Sequence, residues 1–386
     1  APSTNNQLVS IIYLSPVANL FLKFRIENVY KELLFSYNRF NKENNKGSPI
    51  MKPTIKDIAQ RAHVSTATVS RVLSKKAKSY RPETAAKIEA IAKELGYKKN
   101  LAAAELAANS SMLIAVILNN TQTNFSNDII AAIQAETDKA GYQMFILYAG
   151  NHDARLLNQA ISVALERHVA GILLVATSLD EQAARTLRES NTPCRLVSVY
   201  DEDDPRYTGF KFTSSNNEEI GYSAANYLIE RGHSRIGLAG IDRSSTGKQR
   251  LHGYQRSLTE HGLIPHMEWV EYGDYSFGPQ QNMLKTLMNK DLDAIITASD
   301  MVAVGMIREA HLLGLDIPKD LSFISIDGTF LCDITIPTIT SVTQDFYQMG
   351  LIAVRSLLND DDSQFIPVHI TPRNSVRLLS EKSLEY

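Results

Sequence analysis

Thr66, Ala67, Thr68, Ser70 and Arg71 fall within six consecutive positions. Wound into a helix, they form one outward face. An arginine on such a face can place two donors on guanine O6 and N7, and hydroxyls can bond bases or phosphates. The chemistry is that of reading DNA. Thr54, Ser65, Ser74 and Arg81 complete the candidate DNA-binding set on this segment.

Three short helices must position these groups. Thr54 precedes an apolar set at Ile55, Ile58, Ala59 and Ala62, the spacing of a helix face. Asp57, three residues after Thr54, makes a capping-box start with Asp in place of Glu. Ser65 is the natural N-cap of a second helix with Val69, Val72 and Leu73 inward. A third helix carries Ile88, Ile91, Ala92 and Leu95, and Pro82 suits its first turn. Two helices joined by a turn at His63-Val64 predict a helix-turn-helix whose second helix enters the major groove.

Charge agrees. Residues 51–100 hold twelve Lys/Arg against four Asp/Glu, a net of +8. The whole chain carries −2, which leaves −10 for the rest. One segment built to face phosphates explains that asymmetry.

From Thr54 onward the chain resembles the lactose-repressor/galactose-repressor (LacI/GalR) family of bacterial transcription regulators. The motifs are Thr-Ile-Lys-Asp-Ile-Ala (54–59), Val-Ser-Thr-Ala-Thr-Val-Ser-Arg-Val-Leu (64–73), Arg-Pro-Glu-Thr (81–84) and Leu-Gly-Tyr (95–97). The similarity continues almost to the C-terminus. Residues 51–98 are then the helix-turn-helix domain, and 99–110 correspond to the family's hinge helix. The resemblance implies that this helix pairs with its dimer mate in the minor groove. Leu106 would be the wedge at the central base step, Ala103 would permit close approach, and Asn100 would join the DNA-binding set. Alone in water so short an alanine-rich stretch is not a stable helix. Lys99 and Ala104 stand where the family often has Pro and Arg, and Glu105 brings an acid near phosphates. A weaker or more selective hinge contact is expected.

After Met112 the pattern becomes short apolar runs alternating with helical periods. Residues 113–118, 143–147, 171–175 and 196–199 read as buried parallel strands, separated by helices near 125–140, 153–167 and 180–189. A second series follows: helix 215–231, strand 235–239, helix 247–261, strand 294–296, helix 300–313 and strand 321–326. Two such series predict an α/β sensor of two doubly wound parallel-sheet subdomains over 111–386, preceded by the small all-α domain. The resemblance adds that the arrangement is periplasmic-binding-protein-like. Ligands in such sheets sit beyond the carboxyl ends of the strands. Asn120 and Phe125 follow the first strand, and Asp327 ends the last one named. The resemblance implies effector-binding roles for Arg250, Tyr275 and Asp300, and for Asp327 as an acidic contact. An arginine, two carboxylates and a flat aromatic suit a polyhydroxylated ring.

Other features carry less. Cys194 and Cys332, the two cysteines, are far apart and fit a reducing compartment, with no disulfide framework or cysteine zinc site. Gly240 to Lys248 has six residues between its glycines and Gln249 in place of Ser/Thr, unlike an ATP-binding loop. His233 ends a helix, where it favours the helix C-terminus. The run Asp201–Asp204 reads as a solvated loop. No Gly-x-Ser-x-Gly elbow occurs, and no catalytic, metal or cofactor residue is expected. Residues 1–50, apolar at first and then Asn-rich, read as a leader that is not part of the fold. No leucine heptad follows Leu379, so a dimer is expected rather than a tetramer.

The expectation is a cytoplasmic, homodimeric repressor that is not an enzyme, needs no cofactor and does not enter a membrane. It would bind a pseudo-palindromic double-stranded operator and a small effector, a sugar or nucleoside. The competing reading is a solute-binding protein of a sugar transport system, which would share the cleft but not need residues 54–109.

Overall fold

Thr54 opens the first helix of the structure, a computed structural model that describes residues 53–74, 81–97, 111–119, 125–150, 153–278 and 280–379. The leader 1–50, the hinge 99–110 with Asn100, Ala103 and Leu106, and Asn120 lie outside the described residues. Thr54 Oγ1 accepts from the Asp57 amide at 3.4 Å, and the Thr54 amide donates to Asp57 Oδ2 at 2.7 Å. This is the reciprocal capping box expected from the sequence. The backbone donor of Thr54, then its hydroxyl, holds the Asp57 carboxyl below its ordinary range. Helix α1 (Ile55–Ala62) stops at His63, which takes the left-handed conformation common just past a helix end. Ser65 Oγ then accepts from the Thr68 amide at 3.1 Å and starts α2 (Thr66–Ser74). Pro82 holds the first position of α3 (Pro82–Glu94). Ile58, Val69, Val72 and Ile88 are buried in one core shared by the three helices.

The chain divides into two compact units between Ala104 and Glu105. The second unit begins β1 (Leu113–Leu118), α4 (Ser126–Lys139), β2 (Gln143–Tyr148), α5 (Ala154–Glu166), β3 (Gly171–Val175) and α6 (Glu181–Glu189). It continues β4 (Cys194–Val197), β5 (Lys211–Ser214), α7 (Asn217–Glu230), β6 (Ile236–Ile241), α8 (Ser245–Glu260), β7 (Val270–Tyr272) and α9 (Gln280–Met288). Then come β8 (Ala294–Thr297), α10 (Asp300–Leu312), β9 (Ser322–Asp327) and α11 (Leu331–Ile334). It closes with β10 (Thr340–Gln344), α12 (Phe346–Asn359), β11 (Gln364–Phe365) and β12 (Val368–Thr371).

Two six-stranded sheets result, in the orders β11-β5-β4-β3-β1-β2 and β12-β10-β9-β8-β6-β7. The first is parallel throughout, and the second is parallel except where β12 meets β10. Strands such as β3, buried at every residue, read as unbroken apolar runs because helices cover both faces.

Along the sequence the two βα series follow one another. The structure interleaves them. The chain leaves the first lobe after β5, returns after β10 to lay down α12 and β11, and goes back to add β12 to the second sheet. Arg195 fixes the returning segment. Buried on β4, its Nη1 donates to Phe212 O at 2.9 Å, while Nη2 donates to Ser356 O at 3.3 Å and to Asp361 O at the end of α12. Gly350 lets α12 lie against α4, since a Cβ there would sit 2.6 Å from Ile129 O.

His233 also does more than favour a helix end. Its buried ring bridges Asp293 Oδ1, at 3.2 Å, and the Arg377 carbonyl, at 3.1 Å, tying the α7–β6 turn to the C-terminal segment. Burial works against the Asp293 carboxylate. The His233 ring and the Ser234 and Arg235 amides outweigh it and hold the carboxyl below its ordinary range.

Candidate functional site

Between the two lobes, at the carboxyl ends of both sheets, lies a cleft of about 640 Å³, partly open to solvent. The first lobe contributes Asn119 after β1, Phe125 ahead of α4, Ala176 and Ser178 after β3, and Ser198 and Val199 after β4. The second contributes Asp242, Ser244, Thr246 and Arg250 after β6 and along α8, Tyr275 after β7, and Asp327 at the end of β9. Gln344 and Phe346 come from the crossing between β10 and α12.

Arg250 is anchored before any ligand arrives. Nε donates to Asn217 Oδ1 at 3.1 Å and Nη1 to Ala298 O at 2.9 Å. Its guanidinium carbon lies 5.7 Å from the centre of the Tyr275 ring. That placement depends on two glycines where α7 meets α8. A Cβ on Gly221 would stand 2.0 Å from Arg250 O, and one on Gly253 1.9 Å from Glu218 O. Ser244 starts α8, its Oγ accepting from the Gly247 amide at 3.4 Å, so the helix begins two residues before the apolar periodicity indicates.

Asp327 faces the cleft with φ at +115°, an unusual backbone for a side chain with a Cβ. Gln344 Nε2 donates to its Oδ1 at 3.0 Å. Burial pushes its carboxyl up to about 8; the Arg250 charge opposes the rise, Asp300 adds to it, and the Gln344 bond opposes it. Tyr275, also left-handed at φ +62°, donates its hydroxyl to Asp242 Oδ1 at 3.1 Å. Burial raises its phenol above the ordinary range. Ala176 and Ser198 share the left-handed backbone at +49° and +61°. Four non-glycine residues in this conformation line one cleft, and backbone strain of this sort gathers where a scaffold aims groups at a ligand.

Of the effector residues expected from the sequence, the structure brings together Phe125, Arg250, Tyr275 and Asp327. It does not bring Asp300 to the lining. The Asp300 carboxylate is taken by Ser325 Oγ at 2.5 Å and by the Thr329 amide at 2.6 Å, so it braces the turn that carries Asp327. Asp242, Ser244, Gln344 and Phe346 line the cleft without a local signal in the sequence that singles them out. The first two directly follow a strand that was recognised. Gln344 ends β10 and Phe346 begins α12, and β10 was not recognised. Phe346 stacks obliquely on Phe125 with ring centres 5.2 Å apart, giving the first lobe an apolar floor.

In the helical unit, Thr66, Ala67, Ser70 and Arg71 are exposed on α2, and Thr68 is half-buried. Thr54, Ser65 and Arg81 are exposed as well, and Ser74 closes the helix. Thr54 and Ser65 are also caps, so their hydroxyls already serve the fold.

Comparison with known proteins joins the two units. Residues 54–100 match the bacterial regulatory proteins of the lacI family, and residues 225–376 match a periplasmic binding protein-like domain. The HTH-type transcriptional repressor PurR of Pectobacterium carotovorum is 30% identical over 329 residues, covering 82% of this chain and 94% of that protein. A transcription regulator from Lactobacillus plantarum superposes with a TM-score of 0.62 at 39% identity, over 70% of this chain and all of the other. The lac repressor dimer bound to operator and the anti-inducer ONPF gives 0.75 at 27% identity, over 84% of this chain and 99% of the other.

Proposed function

We propose, from the premise that this chain belongs to the lacI family of bacterial regulatory proteins, how its two units divide the work of repression. The protein is a DNA-binding transcriptional repressor with an effector-binding domain, not an enzyme. Residues 51–98 dock on a pseudo-palindromic operator through Thr66, Ala67, Thr68, Ser70 and Arg71, with Thr54, Ser65, Ser74 and Arg81 at the flanks. Residues 99–110 act as the hinge, with Leu106 as wedge beside Asn100 and Ala103. Residues 111–386 form the sensor, and a sugar or nucleoside seats in its cleft. Binding closes the lobes and biases the hinge between ordered and disordered forms.

The observation that carries this reading is the convergence of both lobes on one anchored arginine. Arg250, Asp327 and Gln344 offer directed hydrogen bonds, and Phe125, Phe346 and Tyr275 offer apolar faces. That mixture suits a ring with polar edges.

The sensor also supports a homodimer. Leu312 at the end of α10 and Ile336 just past α11 are 67% and 86% exposed and line one groove with Val304 and Ile307, and Ile334, 66% exposed, ends α11 beside it in sequence. An apolar patch of this kind fits a second copy of the chain, and paired heads match the two halves of a palindrome. No helix among the described residues is long and apolar enough to cross a membrane. The reading puts the protein in the cytoplasm with the chromosome.

Fluorescence anisotropy with a palindromic duplex tests this proposal. Expected is tight binding that weakens steeply with salt and changes when a cleft ligand is added. Equal affinity for operator and random duplex, unmoved by any cleft ligand, would overturn it.

A further inference from the structure

The charge of the cleft narrows what it can hold. The described lining contains one cation, Arg250, the carboxylate of Asp242, and the carboxyl of Asp327, whose proton burial favours. Two of the Arg250 donors are already committed to Asn217 and Ala298. Among the described lining residues there is no lysine or histidine.

One element in the cleft would ordinarily welcome an anion. The N-terminus of α8 is the positive end of a helix dipole. Asp242 already occupies that position. Its Oδ1 accepts from the Ser244 amide at 3.1 Å, from Ser244 Oγ at 2.5 Å and from the Tyr275 hydroxyl at 3.1 Å. A phosphate monoester, with about two negative charges at neutral pH, would meet this carboxylate rather than open amides. Buried charge without a partner is among the costliest things a site can hold.

We propose that the cleft takes an uncharged polyhydroxylated effector and rejects its phosphate esters, with Asp242 as the residue that sets this selectivity. The inference rests on the effector role assigned to the cleft above. It differs from that role in naming which chemical form of a sugar or nucleoside binds.

The test uses the full chain and matched pairs: glucose and glucose 6-phosphate, ribose and ribose 5-phosphate, adenosine and adenosine monophosphate. Thermal shift finds the binding pair, and calorimetry measures it in wild type, Arg250→Ala and Asp242→Asn. Asparagine keeps an acceptor for the Tyr275 hydroxyl, and the melting curve of the unliganded variant verifies its fold. Expected is binding of a neutral member that Arg250→Ala abolishes, with its phosphate ester at least about tenfold weaker. Asp242→Asn should narrow that gap, read as the ratio of ester to neutral affinity within the same variant. An ester that binds wild type as tightly as its neutral partner, and loses binding in Arg250→Ala, overturns the charge argument and leaves the effector site standing. A gap that persists unchanged in Asp242→Asn removes Asp242 from the role. Neutral binding indifferent to Arg250→Ala, or no binding by any pair, overturns the effector site and this inference with it.

Discussion

Gly221 and Arg250 meet at a point where no side chain fits: a Cβ on Gly221 would stand 2.0 Å from the Arg250 carbonyl oxygen. The obstructing atom is backbone, so the only relief is to push α7 and α8 apart. We expect Gly221→Ala to cost about 1–3 kcal/mol or more, as overpacking of a close contact does, and to lower the melting temperature by several degrees. Because Arg250 rides on α8, effector affinity should fall in the same variant, although residue 221 is not in the cleft lining. Calorimetric melting checks the first effect and titration the second. A variant that melts with wild type would show that the helices separate freely.

Asp327 predicts a pH dependence. Its carboxyl sits near 8 in the folded protein against an ordinary 3.8, so the folded form keeps a proton that the unfolded form releases. The stability attached to that proton is complete below 3.8, declines as the pH rises towards about 8, and is flat above. Asp327→Asn mimics the protonated acid and retains an acceptor for Gln344. It should melt above wild type at about pH 8 and lose that advantage as the pH is lowered. Parallel melting profiles from acid to pH 8 would refute the protonated state.

Arg71 lies exposed on α2 among the hydroxyls of the face proposed to read DNA. Arg71→Ala should cost about 1–3 kcal/mol on operator and relax base preference. Competition binding against random duplex separates the outcomes. Equal loss on both would mean that Arg71 holds phosphate only.

Ile336, 86% exposed near Ile334 in sequence and sharing a groove with Leu312, is the place to break the proposed dimer. Ile336→Glu should shift light scattering from dimer towards monomer and weaken operator binding by losing the paired head. Unchanged mass in the variant would move the interface elsewhere.

The contrast between the two units shows what a sequence makes legible. The capping box at Thr54, the cap at Ser65 and the apolar faces of α1 to α3 are local, and each was readable before the structure. The buried strands β1, β3 and β6 were readable for the same reason, although β6 runs on to Ile241. β10 was not: Thr-Ser-Val-Thr-Gln is polar, and it is buried by its neighbours rather than by its own composition. With β10 unseen, Gln344 and Phe346 could not be placed, because their position depends on a crossing between lobes that no local pattern encodes. Asp300 stands apart from the cleft lining for a related reason. Its residue type and position at a helix start suit a ligand contact, but Ser325 and Thr329, distant in sequence, had already claimed its oxygens.

The interleaving of the lobes bears on how the chain is made. As it emerges from the ribosome, β1 to β5 appear early, yet the helix that covers one face of their sheet, α12, and the edge strand β11 appear only near the end of synthesis. The apolar face formed by Ile114, Val116, Leu173 and Val197 therefore waits for Phe346, Met349 and Val354. Contacts so far apart in sequence slow folding and leave apolar surface bare in the interval. A nascent chain halted before residue 346 would hold two unfinished lobes rather than one finished and one missing, a natural client for chaperones.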